Sequence, residues 1–103
     1  MSARAIALRA LLEQDPKNSF VRYGLALDHA NSGELEAAVA EFQTVIANDP
    51  NYGAAYYHGG QTLEKLGKTG AAAELYRQGI EVTRRTGDAH TRSELEAALS
   101  IVG

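Results

Sequence analysis

The sequence predicts an all-α protein built as a stack of antiparallel helix pairs, with about six helices in a single domain. Two observations support this fold class. The chain has 103 residues, of which 45% are hydrophobic and 22% charged, with only two prolines. Alanine, leucine and glutamate are frequent relative to β-branched residues, which favours helix. The sequence also repeats itself at the spacing of a helix–turn–helix unit.

The repeat spacing is 34 residues and is carried by residues that matter for helix packing and helix ends. Asp15–Pro16 recurs 34 residues later as Asp49–Pro50. The same spacing pairs Tyr23 with Tyr57, Ala26 with Gly60, Gly33 with Gly67, Ala38 with Ala72, Phe42 with Tyr76, and Ile46 with Ile80. Agreement at so many positions predicts two full units, preceded by half a unit and followed by a divergent end.

The predicted elements follow one another along the chain in a regular order. A helix over residues 3–14 forms the N-terminal half unit, repeat 1 spans residues 18–50, and repeat 2 spans residues 52–86. Within each repeat two amphipathic helices are separated by a glycine, Gly33 or Gly67. A left-handed glycine at this point ends one helix and turns the chain. The Asp–Pro steps separate the units, because the residue before a proline leaves the helical region.

A capping helix over residues 88–102 is predicted to end the stack. Thr91–Glu94 fits a capping box, with Asp88 as an alternative N-cap. The helix has one apolar stripe, formed by Leu95, Ala98, Leu99 and Val102. A repeat stack needs a terminal helix that is apolar on its inner face and polar outside. This segment has that pattern.

Composition argues against several classes of function. The net charge is −3, whereas nucleic-acid and membrane-surface partners require clustered Lys and Arg. The absence of cysteine excludes disulfides, thiolate metal sites and cysteine nucleophiles. His29, His58 and His90 are far apart, so neither a metal site nor another cofactor is predicted. No signal-peptide pattern is present, and a soluble, cytoplasmic protein is the expectation.

A 34-residue helix–turn–helix unit with these residues resembles the tetratricopeptide repeat (TPR). The family's small residue in the first helix is matched by Ala26 and Gly60, and its inter-helix glycine by Gly33 and Gly67. Its second-helix alanine followed by an aromatic residue is matched by Ala38 with Phe42 and by Ala72 with Tyr76, and its closing proline by Pro16 and Pro50. The resemblance implies a right-handed α–α superhelix. The sequence departs from the pattern at Gly59, where leucine is usual, at Gly79, where alanine is usual, and at Arg84, where proline is usual.

The resemblance also implies a function, which is to hold a peptide or a partner-protein segment in a concave groove lined by the first helices of successive units. The groove positions in this sequence are Phe20, Tyr23, Leu27, Asn31, Tyr57, His58, Gln61, Glu64 and Lys65. A non-catalytic scaffold or adaptor is therefore expected. One TPR subclass clamps a C-terminal carboxylate with lysine, asparagine and arginine. Tyr23, Leu27 and His58 stand at the lysine and asparagine positions here, and Asp88 and Arg92 at those of the last basic pair. Only Arg92 has the required chemistry, so this ligand is not expected.

Two further functions remain as alternatives. The incomplete N-terminal unit leaves Leu8, Leu11 and Leu12 in need of a cover, which favours a self-associating homo-oligomer. The stretch YYHGGQ, residues 56–61, is the one feature that favours a hydrolase, using His58. An oxyanion loop requires a preceding strand and a later Gly-x-Ser-x-Gly elbow, and the sequence contains neither. Within this stretch, Gly59 is either a packing defect or a residue that makes room for a ligand.

Overall fold

The computed structural model describes residues 2–103, and this part of the chain contains six α-helices and no strand. The helices are α1 (Ala3–Gln14), α2 (Ser19–Asn31), α3 (Leu35–Asn48), α4 (Gly53–Lys65), α5 (Thr69–Thr86) and α6 (Ala89–Val102). The all-α prediction is confirmed. In residues 2–103 no helix is long and apolar enough to cross a membrane.

Helix beginnings are set by polar side chains at three of the six helices. The Ser2 hydroxyl accepts a hydrogen bond from the Ala5 amide at 3.0 Å, and the Asn18 side chain caps α2 in the same way. At α6 the Asp88 carboxylate accepts from the Thr91 amide at 3.1 Å. Asp88 is therefore the N-cap of α6, and the capping box with Thr91 as the cap is wrong, because Thr91 lies inside the first turn.

Left-handed glycines turn the chain at three points. Gly33 and Gly67, between the helices of each pair, have φ angles of 79° and 77°. A third, Gly87 with φ 79°, ends α5. Helix α5 has 18 residues whereas α3 has 14, because Arg84 replaces the proline that stops the corresponding helix in repeat 1. Helix α6 occupies the position of a repeat's first helix, as α2 and α4 do. Because α5 is longer than α3, α6 begins later in the sequence than the 34-residue spacing would place it.

The core consists of three clusters of buried residues that follow one another along the stack. Helix α1 packs on α2 through Ala5, Leu12 and Leu25. The centre of repeat 1 consists of Ala26, Ala38, Phe42, Val45 and Ala55. The centre of repeat 2 and the last helix consists of Tyr56, Leu63, Ala72, Tyr76, Val82, Leu95 and Ala98. Each inner helix is thus covered by its neighbours on two sides, as expected for stacked repeats.

The helices of repeat 2 approach one another closely at two glycines. A Cβ atom at Gly60 would lie 2.7 Å from the Tyr76 Cδ1 atom, so the tyrosine ring sits directly on the backbone of α4. A Cβ atom at Gly79 would lie 2.6 Å from the Tyr56 Cβ atom. Real Cβ atoms do not tolerate such contacts, and glycine is required at both positions for this packing.

A buried histidine fixes α1 to the turn of repeat 1. His29 is only 2% exposed, and its Nε2 atom lies 3.3 Å from the Arg9 Nη2 atom while its Nδ1 atom lies 3.0 Å from the Glu34 Oε1 atom. A guanidinium group can only donate, so Nε2 accepts and the Nδ1–H group donates to Glu34. His29 therefore joins α1, α2 and the start of α3 through a satisfied polar network.

Candidate functional site

The first helices α2 and α4 contact each other, and a pocket of about 350 Å³ lies beside their contact. It is lined by Leu27, Ala30, Asn31, Phe42, Tyr57, His58, Gln61, Thr62 and Lys65. Six predicted groove residues are among them, namely Leu27, Asn31, Tyr57, His58, Gln61 and Lys65. The helical spacing thus placed most of these residues on one shared surface, which we call the α2–α4 pocket.

The α2–α4 pocket has an apolar floor and a polar rim. The half-buried Leu27 and Ala30 of α2 and the buried Phe42 of α3 form the floor. The Phe42 and His58 rings are stacked, with 6.4 Å between centroids and 18° between planes. The side chains of Asn31, Gln61 and Lys65 supply amide and ammonium groups at the rim. Apolar walls with a few polar groups are typical of ligand-binding pockets, in which the polar groups fix the orientation of the ligand.

Gly59 had two interpretations, a packing defect or a residue that makes room for a ligand, and its surroundings bear on both. This residue is buried, and a Cβ atom placed on it would lie 3.0 Å from the Leu75 Cδ2 atom and 3.4 Å from the Phe42 Cβ atom. The space that a leucine would fill is therefore occupied by side chains of α3 and α5. Gly59 neither leaves a packing defect nor makes room for a ligand. It lets the Phe42 side chain lie close to the backbone of α4.

Aromatic rings continue from the pocket along the same surface. The Tyr23 ring centroid lies 5.1 Å from that of Tyr52 and 5.9 Å from that of His58. The His58 centroid in turn lies 5.1 Å from that of Tyr57, with the rings nearly perpendicular. We call Tyr23, Tyr52, Tyr57 and His58 the aromatic cluster. Partly exposed rings of this kind offer area with little loss of conformational entropy.

Two predicted groove residues are placed differently from the rest. Phe20 is 76% exposed at the start of α2 and does not line the α2–α4 pocket. The Glu64 carboxylate accepts a hydrogen bond from the Tyr76 hydroxyl, which also accepts one from the Gln61 amide at 3.1 Å. Burial, and then the hydrogen bond to Glu64, raise the pKa of Tyr76. Glu64 is thus engaged inside the protein and holds Tyr76 in place.

The imidazole of His58 lies at the junction of the pocket and the aromatic cluster. Burial lowers the pKa of His58 from its ordinary value of 6.5, and the negative charge of Glu94 opposes this shift. The ring is therefore neutral at neutral pH and offers one hydrogen-bond donor and one acceptor. It lies in the interior of α4, not in a loop after a strand, so the local structure that a lipase-type oxyanion loop requires is absent from this stretch.

Tyr23 provides a direct test of the aromatic cluster. Burial, followed by the nearby Tyr52 and Glu94, raises the pKa of Tyr23 from 10.0 to about 12. We expect Tyr23→Phe to remove a phenolate transition at about pH 12 from an ultraviolet absorbance titration of the folded protein. The pKa is raised in the folded state, so the corresponding stability is complete below pH 10.0 and is lost as the pH rises through about 12. Loss of a transition at the ordinary tyrosine value instead would place Tyr23 in solvent.

Comparison with known proteins agrees with this geometry. The tetratricopeptide repeat model matches residues 2–52 and 23–90. A TPR repeat-containing protein of Pseudomonas aeruginosa is 25% identical over 92 residues, which cover 89% of this chain and 88% of that protein. A tetratricopeptide repeat domain protein from Salinibacter ruber is 39% identical, with a TM-score of 0.80 over 85% of this chain and 89% of that chain.

A more distant structure has the same fold. The TPR2B domain of yeast Sti1, in its complex with pHsp70, is 16% identical and superposes with a TM-score of 0.88 over 93% of this chain and 77% of that chain. The family model matches well over half of the residues, and the helix pairs, turning glycines and close Gly60–Tyr76 contact account for the match in physical terms. The chain therefore belongs to the tetratricopeptide repeat family.

Proposed function

We propose that this protein is a non-catalytic interaction module that holds a peptide, or an extended segment of a partner protein, on the surface formed by α2 and α4. The observation that carries this proposal is the α2–α4 pocket, in which residues from two successive first helices surround one depression. A depression shared by two repeats can accept a side chain while the neighbouring surface contacts the rest of the segment.

The chemistry of the pocket suggests how a segment is held. An apolar side chain fits the floor formed by Leu27, Ala30 and Phe42, where its burial supplies most of the affinity. The Asn31 and Gln61 side chains can hydrogen-bond to the backbone of an extended segment, which needs both donors and acceptors. The aromatic cluster then offers a second contact area next to the first.

The yeast Sti1 domain, which has the same fold, is in a complex with pHsp70. This supports a protein ligand for the present chain as a proposal. The ligand chemistry is expected to differ from that of a carboxylate clamp. Tyr23, Leu27 and His58 stand where the lysine and asparagine residues of such a clamp are placed, and His58 is neutral at neutral pH because burial lowers its pKa. We therefore propose an apolar side chain, not a terminal carboxylate, as the main anchor.

The test is capture of partners from the native cell with the wild-type protein and with a Tyr57→Ala/His58→Ala double variant. Both side chains are partly exposed and line the pocket, so the variant is expected to fold and to lose about tenfold or more of the captured partner. Quantitative mass spectrometry of the bound proteins provides the measurement, and circular dichroism checks the fold.

Ile101→Ala is the matched control, because Ile101 is an exposed apolar residue on α6, outside the pocket. This variant should capture partners as the wild type does. Equal capture by the folded double variant and the wild type would show that partners bind elsewhere on the protein.

A further inference from the structure

The N-terminal end of the stack exposes a helix face that the internal repeats bury. Helix α1 corresponds to the second helix of a repeat, and its residues Arg4, Leu8 and Leu11 stand 34 residues before Ala38, Phe42 and Val45. Ala38, Phe42 and Val45 are all buried in the cluster that α3 shares with α2. In α1 the corresponding Arg4 is exposed and Leu11 is 51% exposed, whereas Leu8 is half-buried. The Leu8 side chain and the Arg4 guanidinium both lie beside Gly24 of α2. Within residues 2–103 no first helix precedes α1, so the Leu11 part of this face is left uncovered.

At the C-terminal end of the stack, the uncovered face belongs to a first helix. Helices α2, α4 and α6 begin at Ser19, Gly53 and Ala89. Helix α6 therefore occupies the position of the first helix in a third repeat. Aligned on these starts, Arg92, Glu96 and Leu99 of α6 correspond to Tyr56, Gly60 and Leu63 of α4. The α4 residues are buried, with Gly60 against the Tyr76 ring of α5. In α6 no second helix follows within the described residues, and Glu96 is exposed.

The charges on the two uncovered faces are complementary. The equivalents of Glu96 and Arg4 in repeat 1 are Ala26 and Ala38, which lie together in one buried cluster. Within residues 2–103, Arg4 forms no salt bridge. On α6, Arg92 shares this face with Glu96, and the Arg92 Nε atom lies 4.0 Å from the Glu96 carboxylate. Glu96 is the more exposed of the two side chains. Arg4 on one face and Glu96 on the other thus carry opposite charges at positions whose equivalents in repeat 1 belong to the same buried cluster.

We propose that α1 of one copy packs against α6 of a second copy, so that two half units complete one repeat across the subunit boundary, with Arg4 of one copy beside Glu96 of the other. The contact is heterologous and does not close on itself, so it produces head-to-tail chains. One helix pair forms a small interface, and association is therefore expected only at high protein concentration. This proposal is independent of ligand binding in the α2–α4 pocket.

Sedimentation velocity of the 103-residue chain over a concentration series tests the proposal. The weight-average mass of the wild type should rise with concentration. R4E places two glutamates at the contact and E96R places two arginines there, so each single variant should weaken association by about tenfold or more. An equimolar mixture of R4E and E96R, and the double variant R4E/E96R, should both regain it, because opposite charges meet again.

E81R is the matched control, since Glu81 is exposed on α5 and its reversal changes the net charge as E96R does. It should associate as the wild type does. A wild-type chain that stays monomeric at the highest concentration would overturn the proposal. So would association that R4E abolishes but E96R leaves intact, since this pattern indicates a symmetric contact between two copies of α1. Failure of the R4E and E96R mixture to associate would also contradict it.

Discussion

Gly60→Ala is expected to lower the free energy of unfolding by about 2–3 kcal/mol, although alanine is the better helix former by about 1 kcal/mol. The added methyl group would overlap the Tyr76 ring, whose Cδ1 atom lies 2.7 Å from the ideal Cβ position. Tyr76 cannot easily move, because it is fully buried and its hydroxyl is bonded to Gln61 and Glu64. Urea unfolding followed by circular dichroism measures the effect.

Gly70→Ala is the control for this prediction. Gly70 is also helical, but it is exposed and a Cβ atom there meets no other atom within 4 Å. Its replacement is expected to leave the protein unchanged or to stabilise it by about 0.5–1 kcal/mol, as helix propensity alone dictates. If Gly60→Ala stabilised the protein to the same extent as Gly70→Ala, the close packing of Tyr76 on α4 would be incorrect.

Leu95→Ala is expected to lower the free energy of unfolding by about 2–4 kcal/mol, because it removes the main side chain that holds α6 on the stack. Leu95 is 0% exposed and packs within the cluster of Tyr56, Tyr76 and Val82. Amide exchange should increase most in α6, since a terminal helix that loses its anchor opens before the rest of the protein. Urea unfolding and hydrogen exchange provide the two measurements.

Ile101→Ala serves as the comparison on the same helix. Ile101 is 82% exposed, and its truncation is expected to change the free energy of unfolding by no more than about 0.5 kcal/mol. Equal effects of the two substitutions would mean that α6 does not dock through its Leu95 face.

The fold was predictable because glycine and proline mark the repeat directly in the sequence. Gly33 and Gly67 adopt the left-handed conformation expected of inter-helix turns, and helices occupy the segments between them. The end of α5 was harder to place, since Arg84 stands where a proline would stop the helix. Without that signal the helix continues until Gly87, the next residue that can turn the chain.

The candidate site was predictable only in part, for a different physical reason. Helical spacing shows which residues of one helix share a face, and it brought Leu27 and Tyr57 to the same pocket. It does not show how far a side chain from another helix reaches. Phe42 belongs to the core pattern of α3, yet it forms part of the pocket floor. Tyr52 is not among the predicted groove residues, yet as the N-cap residue of α4 it brings its ring against that of Tyr23.

The order in which the helices touch has a consequence for how such a chain folds and changes over evolution. Within residues 2–103, every helix contacts its neighbour in the chain or the helix one beyond it, and no contact joins more distant helices. Only short lengths of chain must close to form each contact, so the entropic barrier to folding is low. Because each helix contacts only nearby helices, a whole helix pair can be duplicated or deleted at a turn. The contacts between the remaining helices are then preserved.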